Sequence, residues 1–417
     1  MLQYQIFLHF FYLKRCFYIC TIVHLCIYCI FVRDKRHLNN KNERIYFLLC
    51  SLCIIVLKKR ESNNTIPCIT KKEPKNCMKN ILLATVGAMG VLCSYAQQDK
   101  PTINVDGEFR ASFYNDRVGG EIRHDHSGFK GDYLNLSVSG NINSKFSYAW
   151  RQRLNKKIED NRYFDATDWM YLNYEADKNW SMAAGKQVVL IGGYEYDKAP
   201  IDEYTTSEYW NNIGCYRFGG SVTYTTNAGN DKISAQFTES PCSYPGCHDI
   251  YAYNLFWAGV HGPFETLYSV NLLQYSSTKY ISYISLGNRF RFGNTVLELD
   301  FMNRAASHQT FFFRDCSVVA DLKCKVLPKL KLYGKFIYDV NNTNTDADKT
   351  VWAGTELTTY AGGLEFFPMK NKEDIRINAG VAHTHGKNTN PNGTLLDDRL
   401  TVQVGLTAKL RLFKYGK

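Results

Sequence analysis

From residue 97 onward apolar and polar side chains alternate one for one, a period of two that belongs to extended strands and leaves little room for helices. In 103–113 the side chains of Ile103, Val105, Phe109, Ala111 and Phe113 share one face, and Asn104, Asp106, Glu108 and Arg110 share the other. The last such segment sets Leu400, Val402, Val404, Leu406, Leu410 and Leu412 against Arg399, Thr401, Gln403, Thr407, Lys409 and Arg411. Read in this way, the chain predicts strands at 103–113, 132–142, 145–154, 168–174, 180–187, 216–224, 231–238, 251–260, 264–274, 280–292, 294–302, 315–326, 329–339, 358–367, 374–383 and 399–412. The even count of sixteen suits a closed sheet.

The apolar parity also excludes charge. In 315–326 Cys316, Val318, Ala320, Leu322 and Cys324 are uncharged, whereas Asp321, Lys323 and Lys325 lie on the other parity. A soluble sandwich or propeller would alternate too, but it has no reason to keep one face free of charge. A lipid-facing wall does, because Arg or Lys at mid-bilayer costs roughly 2–4 kcal/mol. The predicted connections alternate short and long, with 275–279 as the exception, as expected of periplasmic turns and external loops. Tyr-rich strand ends in a chain that is 14% aromatic suit interfacial girdles. The expected fold is therefore all-β, a transmembrane antiparallel β-barrel of about 16 strands in the bacterial outer membrane.

Charge is unevenly spread. Residues 1–96 hold 14 Lys plus Arg against 4 Asp plus Glu, so of the chain's 50 and 39 the remainder keeps 36 against 35. The basic excess belongs to the leader and does not form the folded basic face that nucleic acid requires. Within it, Met78-Lys79-Asn80, the apolar run 81–93 and Ser94-Tyr95-Ala96 have the layout of a secretory signal peptide, so 78–96 is expected to be removed. Residues 1–77 then read as a non-native upstream extension from a misassigned start. A membrane helix over 16–32 is the competing reading. Nine of the 14 cysteines fall at or before Cys93. Of the later ones, Cys242 and Cys247 are spaced closely enough to close an exported-protein disulfide.

The polar parity, turned inward, lines a lumen with Arg110, Arg151, Arg153, Arg217, Lys232, Lys323, Lys325, Lys331, Lys335, Arg376, Arg399, Lys409 and Arg411. The acids on it are Asp106, Glu108, Glu298, Asp300, Asp321 and Glu365, so the wall is expected to favour anions. These charges can equally satisfy one another as salt bridges. The longest loop, 188–215, is long enough to fold into the barrel as a size filter, with Glu195, Asp197, Lys198, Asp202 and Glu203 at the constriction, surface exposure of the loop being the alternative. His124 with His126 and His383 with His385 are spaced as metal pairs, yet both lie at external loops where solvated histidine is the commoner case, so no metal or cofactor is expected. No GxSxG, HExxH or glycine-rich phosphate loop occurs in 97–417, so an enzyme is not expected. The alternatives kept open are a closed barrel acting as an adhesin or structural protein, and a barrel hydrolase.

The run FDATDWMYLNYEADKNWSMAAGKQVVLIGGYEYDKAPIDEYTTSEYWNN, with Asp165-Ala166 opening one strand and Gly185-Lys186-Gln187 closing the next, resembles the phosphate-selective porin O and P superfamily. The resemblance implies a 16-stranded porin passing small hydrophilic or anionic solutes and assembling as a homotrimer in outer-membrane lipid. It does not fix the solute.

Overall fold

The computed structural model describes residues 101–416, apart from 158–162, 245–246, 308, 310–311 and 370–371. The expected upstream extension and signal peptide lie outside the described residues. Sixteen long strands follow one another: β1 Ile103–Val118, β2 Gly128–Asn141, β3 Phe146–Arg153, β4 Thr167–Glu175, β5 Trp180–Val188, β6 Tyr216–Thr225, β7 Asp231–Glu239 and β8 Tyr251–His261 form the first half. The second half is β9 Phe264–Ser276, β10 Lys279–Phe292, β11 Thr295–Ala306, β12 Asp315–Leu327, β13 Leu330–Asn341, β14 Thr355–Phe366, β15 Ile375–Lys387 and β16 Arg399–Tyr415. Each pairs antiparallel with the next, and β16 returns to β1 with Val118 opposite Arg399 and Ile103 opposite Tyr415. Closure leaves none of them with a free edge, which a backbone immersed in hydrocarbon requires. No helix among the described residues is long and apolar enough to cross a membrane.

All sixteen predicted strands are present, and several run further than the alternation alone indicated. β1 continues to Val118 and β11 to Ala306, because near the rim the outward parity turns polar while the ladder carries on. The short connections, 142–145, 176–179, 226–230, 262–263, 293–294, 328–329 and 367–374, share the edge that holds both ends of the barrel. The opposite edge carries 119–127, 154–166, 189–215, 240–250, 307–314, 342–354 and 388–398, with 277–278 as the single short member. A two-residue strand, Glu121–Ile122, folds back onto the end of β1.

The two parities face different media. Phe113, Leu134, Met182, Phe237, Leu255, Val270, Leu286, Leu322, Leu332, Val381 and Val404 are exposed on the outer wall, whereas Arg110, Asn135, Gln236, Asn254, Asn271, Glu298, Asp321, Lys335 and Asn378 are buried on the inner one. The expectation of a uniformly polar lumen needs correction near the long-loop edge. There Ala252, Leu273, Ile281, Tyr283 and Met302 point inward and pack with Val189, Ile191, Tyr196, Tyr209, Ile213, Ala347 and Val351 from two loops. A loop that enters the barrel takes apolar wall residues out of water, so the inner face can carry them there.

Leu322→Arg on the outer wall is expected to lower the free energy of unfolding from bilayers by roughly 2–4 kcal/mol, and Lys323→Ala beside it by under about 1 kcal/mol. Denaturant titration in phospholipid vesicles measures both. Equal effects would mean that the parity assignment is wrong.

Candidate functional site

The segment between β5 and β6 turns into the barrel and touches strands on opposite walls. Its entry depends on two glycines. A Cβ on Gly192 would lie 2.5 Å from the Leu267 carbonyl oxygen, and Gly193 has φ 103°, a conformation that side chains resist. Past this bend the N–H groups of Tyr194 and Glu195 donate to the Asp300 carboxylate of β11 at 2.8 and 2.7 Å. These residues open the short helix α1, Tyr194–Asp197, and a 3₁₀ turn at Pro200–Asp202 and helix α2, Glu208–Asn212, follow. Ser207 caps α2, accepting the Trp210 N–H at 3.0 Å and donating to Glu195 at 2.5 Å. The N–H of Glu208 donates to Asp339 of β13 at 2.8 Å.

Charged side chains fasten the loop from all sides. Lys198 Nζ reaches Glu298 of β11 and Asp321 of β12, each at 2.6 Å, and Glu203 of its own loop at 3.0 Å. Lys335 of β13 meets Glu195 at 2.8 Å and Glu203 at 2.6 Å and donates to the Thr205 carbonyl at 2.8 Å. Asp202 lies 2.6 Å from both Arg376 of β15 and Lys409 of β16. Arg110 of β1 donates to the carbonyls of Ile201 and Glu203 at 3.1 and 2.6 Å. Tyr204 donates to Glu365 at 2.7 Å, accepts from Arg376 at 2.8 Å and stacks on Tyr333 of β13. Burial raises the cost of ionising Asp202, but Arg376 and Lys409 outweigh it and set the carboxyl below its ordinary value. Glu203 follows the same pattern, burial opposing and Lys335 then Lys198 prevailing.

Of the five loop residues expected at a constriction, Glu195, Lys198, Asp202 and Glu203 are brought against the wall in this way, and Asp197 faces outward from the cluster, exposed. The thirteen basic residues predicted for the lumen fall into four groups. Arg110, Arg376, Lys335 and Lys409 hold the loop. Arg151 and Arg153 share Asp168 of β4 at 2.7 Å, with Arg151 also 4.0 Å from the centre of the Trp169 ring. At the long-loop edge Arg217 donates to the Pro241 carbonyl at 2.9 Å, and Arg399 is clamped on Asp116 at 2.5 Å. Towards the short-turn edge lie Lys232, Lys323, Lys325, Lys331 and Arg411, all partly or well exposed. Lys331 has Glu373 at 2.6 Å, Lys325 has the same carboxylate only at 3.9 Å, and Arg411 pairs with Asp106. The basic wall expected from residue counts is thus largely paired with acids at mid-height, while Lys232, Lys323, Lys325, Lys331 and Arg411 nearer the short-turn edge stay at least partly exposed.

Sequence reasoning missed several partners. Arg304, fully buried, binds Asp315 at 2.8 Å and Asp348 of the 342–354 loop at 2.7 Å. Arg289 joins Glu265 to Glu298 and lies 3.9 Å from the centre of the Tyr194 ring. Extending the inward parity of Glu298 and Asp300 through Met302 would have reached Arg304. Asp348, on a loop, gave no such signal. The expected Cys242–Cys247 disulfide is absent, and both thiols are free. Burial pushes the Cys242 thiol up to about 11, whereas Cys247 pairs through its backbone with Tyr244 in the outer turn, so the two side chains are held in different surroundings. The histidines meet carboxylates: His383 and His385 lie 3.0 Å from Asp398 and Asp397, and His126 lies 2.7 Å from Asp125.

The family model described as phosphate-selective porin O and P matches residues 103–277. No curated protein matches the chain. Among solved structures, OmpT of Vibrio cholerae in its trimer form is 13% identical with a TM-score of 0.53, the match covering 75% of this chain and 100% of that one. An anion-selective porin from Comamonas acidovorans is 10% identical with a TM-score of 0.54 over 75% of this chain and 100% of that one. OmpF of Salmonella typhi is 12% identical with a TM-score of 0.50, covering 74% and 97%. At such identities the likeness is one of fold.

Lys335→Met leaves Glu195 and Glu203 without their shared cation, and removing one partner of a buried pair costs roughly 3–5 kcal/mol. The variant is expected to expose the loop to external protease while the barrel stays folded; a loop as resistant as in the native protein would contradict the tether. Acid gives a second check. A carboxyl held below its ordinary value contributes stability above about pH 4 and loses it as pH falls through the lowered value, so the loop is expected to stay in place from pH 7 to about 4 and to release only in stronger acid. Release near pH 6, followed by the same proteolysis, would overturn this.

Proposed function

We propose that this chain, an outer-membrane porin resembling the phosphate-selective porin O and P family, passes small hydrophilic solutes around its inward-folded loop, with an anion bias that arises below the loop. The observation that carries the reading is the lacing of the 189–215 segment to β1, β11, β12, β13, β15 and β16, which supports its role as the constriction. A barrel of this strand number would otherwise hold a wide aqueous channel. Supporting the bias are Lys323, Lys325 and Lys331, whose nearest acids are Asp321, itself bound to Lys198, and Glu373, shared between two of them. Uncommitted charge at a pore wall sets ion preference.

On this reading the barrel is a conduit and not an enzyme, fold and family model both being those of channels. A homotrimer belongs to the same proposal: the outer wall has a shallow apolar hollow at Ala111, Phe113, Phe129, Gly131, Ile377 and Val404 that a neighbouring barrel would fill. A closed barrel serving adhesion is the second reading, favoured by the dry packing of Tyr209, Ile213 and Val351 against Tyr283 in the mouth.

Purified protein in a planar bilayer separates the two, because the porin reading expects discrete conductance steps and the closed barrel expects none. In a salt gradient the reversal potential is expected to favour anions, and Lys325→Glu with Lys331→Glu to move it towards cations. A cation preference in the native protein would remove the bias. Lys335→Glu is expected to act differently, freeing the loop and changing conductance more than selectivity.

A further inference from the structure

We infer that the external mouth holds a binding subsite for uncharged, polyhydroxylated solutes of monosaccharide size, an inference that rests on the chain being an open porin. The mouth is divided into two unlike halves. Over β8 to β13 it is filled by the dry cluster in which Tyr209, Ile213, Ala347 and Val351 cover Leu273, Ile281 and Tyr283. That half is stitched shut from above. Asn212 donates to the Thr350 carbonyl at 2.9 Å, and Asn390 of the 388–398 loop reaches Glu208 and Asn212 at 3.2 and 3.3 Å. Level with Tyr283 on the paired strand, Arg304 is buried with Asp315 and Asp348. Nothing polar enters by that route without breaking a hydrophobic core and a buried ion pair.

The other half contains a cavity of about 200 Å³ between the loop and the walls of β15, β16 and β1. That is many times the roughly 10–15 Å³ that a single ordered water needs on the same measure, so the cavity can admit a small solute. Its lining mixes hydroxyl and amide groups, Tyr114, Thr384, Thr401 and Gln403 from the wall and Thr205 and Asn211 from the loop, with the apolar Val381, Ala382 and Leu395. Arg399 is its one charged lining residue, and it is committed to Asp116 at 2.5 and 3.0 Å and to the Thr394 carbonyl at 2.8 Å. The cations behind Tyr204, namely Arg110, Arg376 and Lys335, are likewise spent on loop carbonyls and carboxylates.

An anion arriving here meets no unpaired positive charge in the cavity lining itself, Lys130 lying outside that lining at 5.7 Å from the centre of the Tyr114 ring, in contrast to the lysines below the loop. The lining hydroxyls already pair within the protein, Tyr114 with Asp132 at 3.0 Å and Thr384 with Thr359 at 2.9 Å, but each keeps lone-pair capacity that a polyol can use and an apolar solute cannot. A polyol meets donors and acceptors on three sides, and Tyr114 adds a ring of the amphipathic kind that sugar-sized ligands contact. Charge selection and hydrogen-bond selection are thereby placed at different depths of the same path.

The test is glucose added to the external side of single channels in a phosphatidylcholine bilayer, with a polyethylene glycol of equal viscosity as control. Glucose is expected to lower conductance saturably and beyond the viscosity effect. The Thr401→Val/Gln403→Leu double variant is expected to raise the half-saturating concentration about tenfold, a factor equal to about 1.4 kcal/mol. Thr384→Val, on the neighbouring strand, is expected to shift it in the same direction. Each channel is normalised to its own sugar-free conductance, so a change in basal current does not enter. An open channel whose current falls with glucose only as with the polymer overturns the subsite and leaves the porin reading standing. A protein that opens no channel overturns both.

Discussion

Backbone amides and carbonyls cannot be left unpaired in hydrocarbon, and every other feature of this molecule follows from how the chain meets that demand. Closing sixteen antiparallel strands from Ile103 to Tyr415 pairs the ladder all the way round and divides the side chains into two populations by position alone. One population contacts lipid and must be uncharged. The other is freed from that restriction and carries nearly all the charged groups of the wall, including Arg110, Glu298, Asp321, Lys335, Arg376 and Lys409.

Those inward charges do more than coat a channel. Inside a narrow lumen, acids on the loop and bases on the wall are drawn out of water together, and a charge buried without a partner is far costlier than one paired. The result is a reciprocal arrangement: Glu195, Asp202 and Glu203 on the loop face Lys335, Arg376 and Lys409 on the wall, while Lys198 on the loop faces Glu298 and Asp321. Opposite charges at each contact fix one seating of the loop and disfavour its displacement. The same pairing removes these bases from the pool able to attract solute ions, and on the proposed function the exposed lysines nearer the short-turn edge are the ones left to set that preference.

The strand pattern was legible in the sequence because its cause is local: the face of Leu322 or Lys323 depends only on odd or even position. The 188–215 segment could be read from its length as able to enter the barrel, but its mixture of Gly, Tyr and charge suits a surface loop equally well, so its course was not fixed by the sequence. Pairings such as Lys198 with Asp321 and Arg304 with Asp348 were not legible, since they join residues far apart in the chain and depend on strand stagger and loop path, neither of which has a periodic signature. The inward placement of the apolar Leu273, Ile281 and Met302 was not anticipated, for a related reason. They obey the loop packed against them rather than the water the parity rule assumes. Cys242 and Cys247 show the limit of spacing as evidence, because proximity in sequence did not bring the two thiols together.

Hydrogen exchange over residues 194–208 tests the seated loop most directly, since the N–H groups of Tyr194, Glu195 and Glu208 donate to carboxylates of β11 and β13 rather than to water. Protection comparable to that of the barrel strands is the predicted result. Exchange as fast as in the 119–127 loop would contradict it.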